Sequence, residues 1–327
     1  MEPVNTTFQH VPKFSPGKGK MPDLQKLFGS LKNVTCPYNP EPKVIGEHTT
    51  NLNTCYNLNV SLDGSMWKND QTMLKKVVPT DNGLKILMNF NCIILNMSQM
   101  KNGDLLLTVV GSPILKVLPS GTTELKDSCY DVSPLQPFGV HATPDNKVII
   151  SVFDKESIQE VVQRKVIVMN QLGFREKVFL NDHHNKPLFT LPRRVTSNNV
   201  NIISVVDLLS DNCYARTVFL DLSGNIKNIY GGHHSVNSYE NQFRPRDILS
   251  LPLNNFLVTE RLNVLHILNS EGESLTFYNT LSLGIHLPYS MCFSGQYLFI
   301  SSNPSSNQNE NCKDKAKIYK LENFEWY

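Results

Sequence analysis

Short apolar segments that end in a tight turn recur along the chain. The clearest copies share a mainly apolar run followed by Asn or Asp, two further residues and Gly, and they end at Gly173, Gly224 and Gly272. Weaker copies end at Gly83 and Gly121. Each copy predicts a β-strand that leads into a turn, because Asn and Asp bond their own backbone there and Gly tolerates positive φ.

Two further features precede these turns in a fixed order. Apolar strands end in a carboxylate at Asp154, Asp207 and Glu260, with 53 residues between successive members. A proline stands ahead of each of these strands and of one more near the C-terminus, at Pro137, Pro192, Pro245 and Pro288. Four short strands repeated every 40–50 residues or so are typical of a β-propeller. Residues 43–327 therefore predict an all-β fold, a six-bladed β-propeller of NHL/TolB-like architecture with four-stranded antiparallel blades.

The two ends of the chain predict how the ring closes. Residues 316–321 resemble a third strand, but too few residues follow them for a regular fourth strand. We expect residues 43–50 to supply the missing strand, since closure removes the free sheet edges. Residues 1–42 are rich in Pro, Gly and Lys and predict a flexible basic linker, in which 23–32 either form a short amphipathic helix or stay unordered.

Composition narrows the class of protein. Hydrophobic residues make up 40% and charged residues 18% of the 327, which is typical of a globular domain. Neither a membrane-length apolar segment nor a signal peptide is evident, so we expect a cytoplasmic protein with no membrane association. Residues 1–50 carry six lysines and four carboxylates, which accounts for the whole net charge of +2. A neutral ring lacks the broad positive surface of a nucleic-acid binder.

Cysteine usage and motifs predict no resident metal, cofactor or catalytic residue. The seven cysteines form no Cys-x-x-Cys pair, which argues against structural zinc and favours reduced thiols. No nucleophile elbow, phosphate loop or dinucleotide fingerprint occurs. The sequence therefore predicts a protein that is not an enzyme.

The recurring carboxylates Asp154, Asp207 and Glu260 have two interpretations. They could converge on the central channel and hold calcium, as in the propeller lactonases and esterases that this fold resembles. The favoured interpretation is structural: each accepts hydrogen bonds within its own blade or pairs with an arginine such as Arg246.

Arginines and histidines near the strand-initiating prolines are the candidate binding residues. Four arginines cluster around two of these prolines, at Arg193, Arg194, Arg244 and Arg246. Two histidine pairs stand in polar segments between blades, at His183, His184, His233 and His234. All eight would lie on one face and could bind a protein partner or RNA. Alternatively the arginines form inter-blade ion pairs with Asp247, Glu260 and Asp207, and the histidines are solvated loop residues.

Several segments resemble the C-terminal NHL propeller of tripartite-motif proteins. They are residues 185–188, the strand that ends in Asp207, residues 230–233, residues 243–247 and residues 264–272. Residues 12–17 and 28–31 also resemble the linker that joins coiled coil to propeller in that family. The RING, B-box and coiled coil of the family are absent from this chain. The resemblance therefore implies a propeller without ubiquitin-ligase activity of its own, either a propeller-only member or part of a longer protein.

Three functions are compatible with these observations. The preferred hypothesis is a non-catalytic scaffold that displays loops to a protein partner, and we expect it to be monomeric without a coiled coil. The alternative is a single-stranded RNA-binding NHL propeller. The third is a calcium-dependent hydrolase of the lactonase or esterase type.

Overall fold

A computed structural model of the chain describes residues 41–61, 63–70, 72–81, 83–154, 164–210, 214–304 and 314–324, with the backbone of two further strands. The chain divides into two compact units, residues 1–42 and residues 43–325. In the first unit, β1 (His10–Ser15) pairs antiparallel with β2 (Ser30–Thr35). Residues 30–32 of the segment considered for a helix thus lie in a strand, and the rest of that segment is outside the described residues. The linker role of residues 1–42 stays a prediction.

The second unit is the six-bladed propeller expected from the sequence, built from four-stranded antiparallel sheets. Blade 1 contains β4 (Asn57–Val60), β5 (Met66–Asn69), β6 (Met73–Thr80) and β7 (Gly83–Asn91). Blade 2 contains β8 (Ile94–Gln99), β9 (Leu105–Val109), β10 (Ile114–Leu118) and β11 (Lys126–Asp131). Blade 3 contains β12 (Gln136–Ala142), β13 (Val148–Phe153), β14 (Arg164–Met169) and β15 (Arg175–Phe179).

The other three blades repeat this order. Blade 4 contains β16 (Pro192–Ser197), β17 (Ile203–Leu208), β18 (Ala215–Leu220) and β19 (Ile226–Tyr230). Blade 5 contains β20 (Pro245–Ser250), β21 (Phe256–Glu260), β22 (Val264–Leu268) and β23 (Ser274–Asn279), followed by a short 3₁₀ helix (Thr280–Leu283). Blade 6 contains β24 (Pro288–Ser294), β25 (Tyr297–Ser302), β26 (Lys317–Glu322) and the early strand β3 (Lys43–Thr49).

Ring closure follows the sequence-based expectation. The strand β3 pairs antiparallel with β26, and Ile318 lies opposite His48. The last blade thus obtains its outer strand from the beginning of the ring, so that it has no unpaired edge at β26. Among the described residues, no helix is long and apolar enough to cross a membrane.

Hydrophobic clusters between neighbouring blades form the core. The second strands are buried almost throughout, as in β13, where Val148, Ile150 and Val152 have no exposed surface. Each of these strands packs one face on the preceding blade and the other face on the following blade. Because both faces are buried, the strands are continuous apolar segments in the sequence.

Hydroxyls on the second strands add a repeated bond between blades. Thr259 accepts from the backbone N–H of Asp247 at 3.0 Å and donates to the carbonyl of Tyr289 in the next blade at 3.0 Å. Ser301 makes the corresponding bonds to Ser290 at 3.0 Å and to the carbonyl of Cys55 in blade 1 at 3.1 Å. These bonds hold the innermost strands, which line the central channel, at fixed heights around the axis.

Gly139 on β12 marks a close approach between the innermost strands of blades 3 and 4. A Cβ at this position would lie 2.6 Å from the carbonyl oxygen of Arg193 in blade 4. Since real Cβ atoms do not approach backbone so closely, only glycine fits here.

Candidate functional site: the mouth and channel of the propeller

A ring of aromatic and arginine side chains surrounds one mouth of the channel. The innermost strands begin on the same face of the propeller, which we call the upper face. The residue that follows the first-strand proline is Phe138 in blade 3, Arg193 in blade 4, Arg246 in blade 5 and Tyr289 in blade 6. Tyr56, just before β4, completes the set in blade 1.

Stacking contacts join these side chains into two groups, Phe138 with Arg193, and Arg246 with Tyr289 and Tyr56. The guanidinium of Arg193 lies 4.9 Å from the centre of the Phe138 ring, and that of Arg246 lies 5.3 Å from the centre of the Tyr289 ring. The rings of Tyr289 and Tyr56 meet edge to face at 5.1 Å. All five side chains are partly exposed. Cation–π stacking thus fixes two positive charges at the mouth.

Arg194 crosses the channel just below the ring. It is almost fully buried, and it donates through Nη2 to the carbonyl of Tyr56 at 2.8 Å and through Nη1 to the side-chain oxygen of Asn57. Its Nε lies 3.7 Å from Oδ1 of Asp247. Blades 4, 5 and 1 are thereby joined by one guanidinium, which narrows the passage from the mouth into the channel.

Below Arg194 lies a polar cavity of about 100 Å³, lined by residues from all six innermost strands. Two polar atoms in its wall, Nε2 of His141 and Oδ1 of Asn59, are buried without a hydrogen-bond partner in the described part of the chain. A polar cavity of this volume has room for ordered water.

The described channel presents little negative charge to a calcium ion, the metal that one interpretation of the recurring carboxylates placed there. Asp247 is the one carboxylate among the described residues that line the cavity, and the Arg194 guanidinium lies beside it. Oδ2 of Asp247 also accepts from the Ser290 hydroxyl and the Met291 amide, both at 2.9 Å. No cluster of three or more His, Cys, Asp or Glu occurs among the described residues. Calcium takes six to eight oxygen ligands; beside this neutralised carboxylate the cavity offers the side chains of Asn57, Asn59 and Asn96 but no second carboxylate among the described residues.

His141 makes the stability of the propeller depend on pH. Burial lowers the pKa of its imidazole to about 4, below the ordinary value of 6.5. Between these values the unfolded chain binds a proton that the folded chain does not, so stability falls as pH decreases. We expect the free energy of unfolding to drop by ~2 kcal/mol from pH 7 to pH 5 through this residue. Urea unfolding at both pH values checks this, and His141→Gln must lose the same share of the pH dependence; an unchanged dependence in the variant contradicts it.

Asp207 lies inside blade 4 rather than in the channel. Its Oδ1 accepts from the backbone amides of Thr190 and Leu191 at 2.8 and 2.7 Å, and its Oδ2 accepts from Nε of Arg216 at 3.0 Å. Burial raises the pKa of this carboxyl, against the opposing effects of the Leu191 amide and Arg216. Its bonds lie within its own blade, as the structural interpretation predicts, but its cationic partner is Arg216 and not Arg246.

Glu260 is fully buried in a chain of polar groups within blade 5 and the loop before it. Oε2 lies 2.8 Å from Nε2 of His266, whose Nδ1 lies 3.0 Å from the Tyr230 hydroxyl. Oε1 accepts from the Asn237 side chain at 2.7 Å and from the Arg244 amide at 3.2 Å. The carboxylate therefore ties the loop between β19 and β20 to the blade.

Asp154 does not occupy the position of the other two carboxylates, although the intervals are equal. Asp207 and Glu260 lie opposite Pro192 and Pro245, whereas Pro137 lies opposite Val152. Asp154 follows β13 two residues beyond that point. The equal spacing of 53 was therefore misleading: Pro137 and Pro192 are 55 residues apart whereas Pro192 and Pro245 are 53 apart, so Val152 is the residue equivalent to Asp207 and Glu260.

The remaining candidates lie apart from the ring. Arg244 contacts Tyr214, with its guanidinium 4.7 Å from the ring centre and Nη2 3.1 Å from the hydroxyl. His183 and His184 lie in the loop between β15 and β16, with ring centres 3.9 Å apart. His233 and His234 lie in the loop between β19 and β20, with ring centres 4.4 Å apart. None of these five lines the depression at the mouth formed around Arg193 and Arg246.

The sequence did not single out the aromatic members of the ring or the channel residues Asp247 and His141 as a site. A usable signal was present, since Phe138 and Tyr289 occupy the same place after proline as Arg193 and Arg246. A comparison of the residue after proline in each blade, rather than of the arginines alone, identifies the side chains at the mouth.

The fold is shared with several enzymes and binding proteins at low sequence identity. Virginiamycin B lyase from Staphylococcus aureus is 15% identical, with a TM-score of 0.56, over 86% of this chain and 99% of that one. A gluconolactonase-type protein is 14% identical at 0.59, over 88% and 93%, and the calcium-binding regucalcin from Agrobacterium tumefaciens is 9% identical at 0.58, over 86% and 95%. No protein-family model and no curated protein matches the chain. The structural neighbours establish the propeller fold alone.

Proposed function

We propose that the protein is a recognition propeller that binds an acidic segment of a partner protein at its upper mouth. The observation that carries the proposal is Arg246. Its partly exposed guanidinium is stacked on Tyr289 and forms no hydrogen bond or ion pair with another described residue. A guanidinium held in this way presents a planar set of N–H donors that matches a carboxylate.

The ring favours carboxylates over nucleic-acid bases. Single-stranded nucleic acid binds on aromatic faces, but here Arg193 covers Phe138 and Arg246 covers Tyr289. A guanidinium therefore occupies one face of two of the three aromatic side chains, which leaves less aromatic surface for bases to stack on. On a propeller whose net charge is zero, this local cluster of arginine suits a short acidic motif better than a phosphate backbone.

The channel supports binding at the mouth rather than hydrolysis inside it. Arg194 lies across the passage, and the Asp247 carboxylate beside it is engaged. The resemblance to tripartite-motif propellers also supports a recognition role, and membership of that family is part of the proposal. Cytoplasmic location and a monomeric state remain predictions.

Reversing the charge of the ring is expected to abolish recognition. We expect Arg193→Glu combined with Arg246→Glu to weaken binding of a fluorescein-labelled hexaglutamate peptide about 100-fold, since each charge-assisted contact contributes roughly 1.5 kcal/mol or more and 1.4 kcal/mol is a factor of ten. Fluorescence anisotropy at 50 mM and 150 mM salt measures this, and the higher salt should weaken binding by the wild type.

The matched control replaces Lys85 and Lys227, two exposed lysines on outer strands, with glutamate. This variant has the same net charge and should bind the peptide as the wild type does, apart from a small long-range effect. Tighter binding of a labelled 12-nucleotide oligouridylate, lost in the ring variant, would favour the RNA alternative. Binding of neither probe would reject the mouth as a recognition site for acidic segments.

A further inference from the structure

A cleft opens between blades 1 and 2 on the lower face of the propeller, opposite the arginine-bearing mouth. Its volume is about 740 Å³, which is within the roughly 300–1,000 Å³ that small-molecule sites occupy. A row of adjacent side chains across blade 1 lines it, consisting of Asn59, Trp67, Lys76 and Met88. A row across blade 2 also lines it, consisting of Gln99, Leu105 and Leu118. The cleft therefore has largely apolar walls with one lysine among them.

Lys76 occupies a position that is apolar and buried in three other blades. It is the last third-strand residue before the register shift between the third and fourth strands. The equivalent residues of blades 3, 4 and 5 are Val168, Phe219 and Ile267, which pack between their own blade and the next. In blade 1 an ammonium group stands there instead, and the space toward blade 2 is open. A departure from the apolar pattern of a repeat is expected at functional sites.

The ammonium group of Lys76 is largely buried but weakly paired. It lies 5.6 Å from the centre of the Trp67 ring and 3.5 Å from Oδ2 of Asp63. The Lys76 side chain is 19% exposed, whereas that of Asp63 is 62% exposed and also bonded to Ser65. Among the described residues, Asp63 is its one hydrogen-bond partner. Since an ammonium group has three donors, two remain available to a ligand.

The lysine of blade 6 at the equivalent position shows the contrasting case. Lys320 precedes the register shift in β26. Its ammonium group lies 3.7 Å from the centre of the Tyr297 ring and 6.0 Å from that of Phe299. Two aromatic side chains thus accompany this lysine, and neither lysine nor aromatic lines the cleft at blade 1.

The lining of the cleft carries a net positive charge. Its charged members among the described residues are Lys76, Lys101 and Asp63. Lys101 lies in the hairpin turn between β8 and β9 and forms no hydrogen bond or ion pair with another described residue. A carboxylate in the cleft is therefore attracted, whereas a second cation is repelled.

We infer that the cleft binds a small monocarboxylate with an apolar body. The carboxylate accepts hydrogen bonds from the ammonium group of Lys76, with the charge of Lys101 at the rim, and the body lies between the apolar walls formed by Met88, Leu105 and their neighbours. Charge-assisted bonds to a partly buried cation are the strong ones, so the head fixes the orientation of the ligand. This site goes beyond the proposed function, which uses the arginines of the opposite face.

Three naphthalene probes that differ in the charge of the head test the inference: naphthoate, naphthamide and naphthylmethylamine. We expect naphthoate to bind the full-length protein about tenfold more tightly than naphthamide, the size of one charge-assisted hydrogen bond, and the amine to bind most weakly. Acetate, which has the head without the body, should not displace naphthoate at equal concentration. Titrations followed by ligand-observed NMR at pH 7 give the affinities.

Lys76→Met separates the head contact from the apolar walls. The variant should fold, because the equivalent positions of blades 3–5 are apolar. It should bind naphthoate about tenfold more weakly, while naphthamide binding stays the same or improves. Lys227→Met removes an exposed lysine on the outer strand of blade 4 and, as the matched control, should leave both affinities unchanged.

The protein with Arg193→Glu and Arg246→Glu should bind naphthoate as the wild type does, which separates this site from the proposed function. Equal affinities for naphthoate and naphthamide, tighter binding of the amine, displacement by equimolar acetate, or no binding of any probe would overturn the inference. So would a preference for naphthoate that persists in Lys76→Met, or one that is lost in the arginine variant, since the carboxylate would then bind at the mouth.

Discussion

Replacement of Arg194 by methionine is expected to lower the free energy of unfolding by about 3–5 kcal/mol, the usual effect of removing one member of a buried charge pair. The guanidinium joins blades 4, 5 and 1 through Asp247, Asn57 and the carbonyl of Tyr56. Without it, the Asp247 carboxylate stays buried with its charge uncompensated. Urea denaturation at pH 7 gives the difference in stability.

A double-mutant cycle tests the cause of this loss. Asp247→Asn removes the uncompensated charge while it retains an oxygen for the Ser290 hydroxyl and the Met291 amide. We expect Arg194→Met combined with Asp247→Asn to be more stable than Arg194→Met alone by 1 kcal/mol or more, on the order of measured interaction energies between contacting residues. If Asp247→Asn lowers the stability further in the Arg194→Met background, the charge pair is not the reason for the loss.

Removal of the closing strand is expected to have the second large effect. Deletion of residues 1–49 removes β3 and leaves β26 as an exposed edge, whereas deletion of residues 1–42 retains the strand. We expect a difference of about 5 kcal/mol between the two truncations, from several backbone hydrogen bonds at about 1 kcal/mol each and the buried contacts of Val44. This is comparable with the whole stability of many domains, so the shorter protein should also aggregate through its free edge.

Urea midpoints and size-exclusion chromatography of the two truncated proteins measure this effect. The truncation at residue 42 serves as the control, because its ring contains every blade strand. Similar midpoints for the two proteins, with monomeric elution of both, would show that β3 is dispensable for closure.

The repeating strands could be predicted because each blade carries its own local signals. Proline is the first or second residue of the innermost strands of four blades, as at Pro192 and Pro245, and glycine at positive φ ends the third-strand turns, as at Gly173 and Gly272. These signals depend on backbone geometry within a few residues, so they are visible without the fold. Closure by residues 43–49 could also be predicted. The last blade lacked a fourth strand at the C-terminal end of the repeats, and one strand remained unassigned before the first blade.

The carboxylates show where spacing alone misleads. Asp207 and Glu260 are equivalent in register, and each is held by bonds within its own blade or the loop before it. Asp154 shares their interval but not their register, because Val152 and not Asp154 is the residue opposite the first-strand proline of blade 3. The interval of 55 residues between Pro137 and Pro192, against 53 between Pro192 and Pro245, carried this information in the sequence.

The sequence by itself determined the blade count, the order of strands and the closure of the ring, because these follow from local turn chemistry and apolar alternation. Only the tertiary structure decided which polar residues meet. Arg193 and Arg194 are adjacent in sequence, yet one stacks at the mouth and the other crosses the channel to blade 1. The physical reason is that successive side chains of a strand point in opposite directions, and their partners are distant in sequence: Phe138 lies 55 residues from Arg193, and Tyr56 lies 138 residues from Arg194.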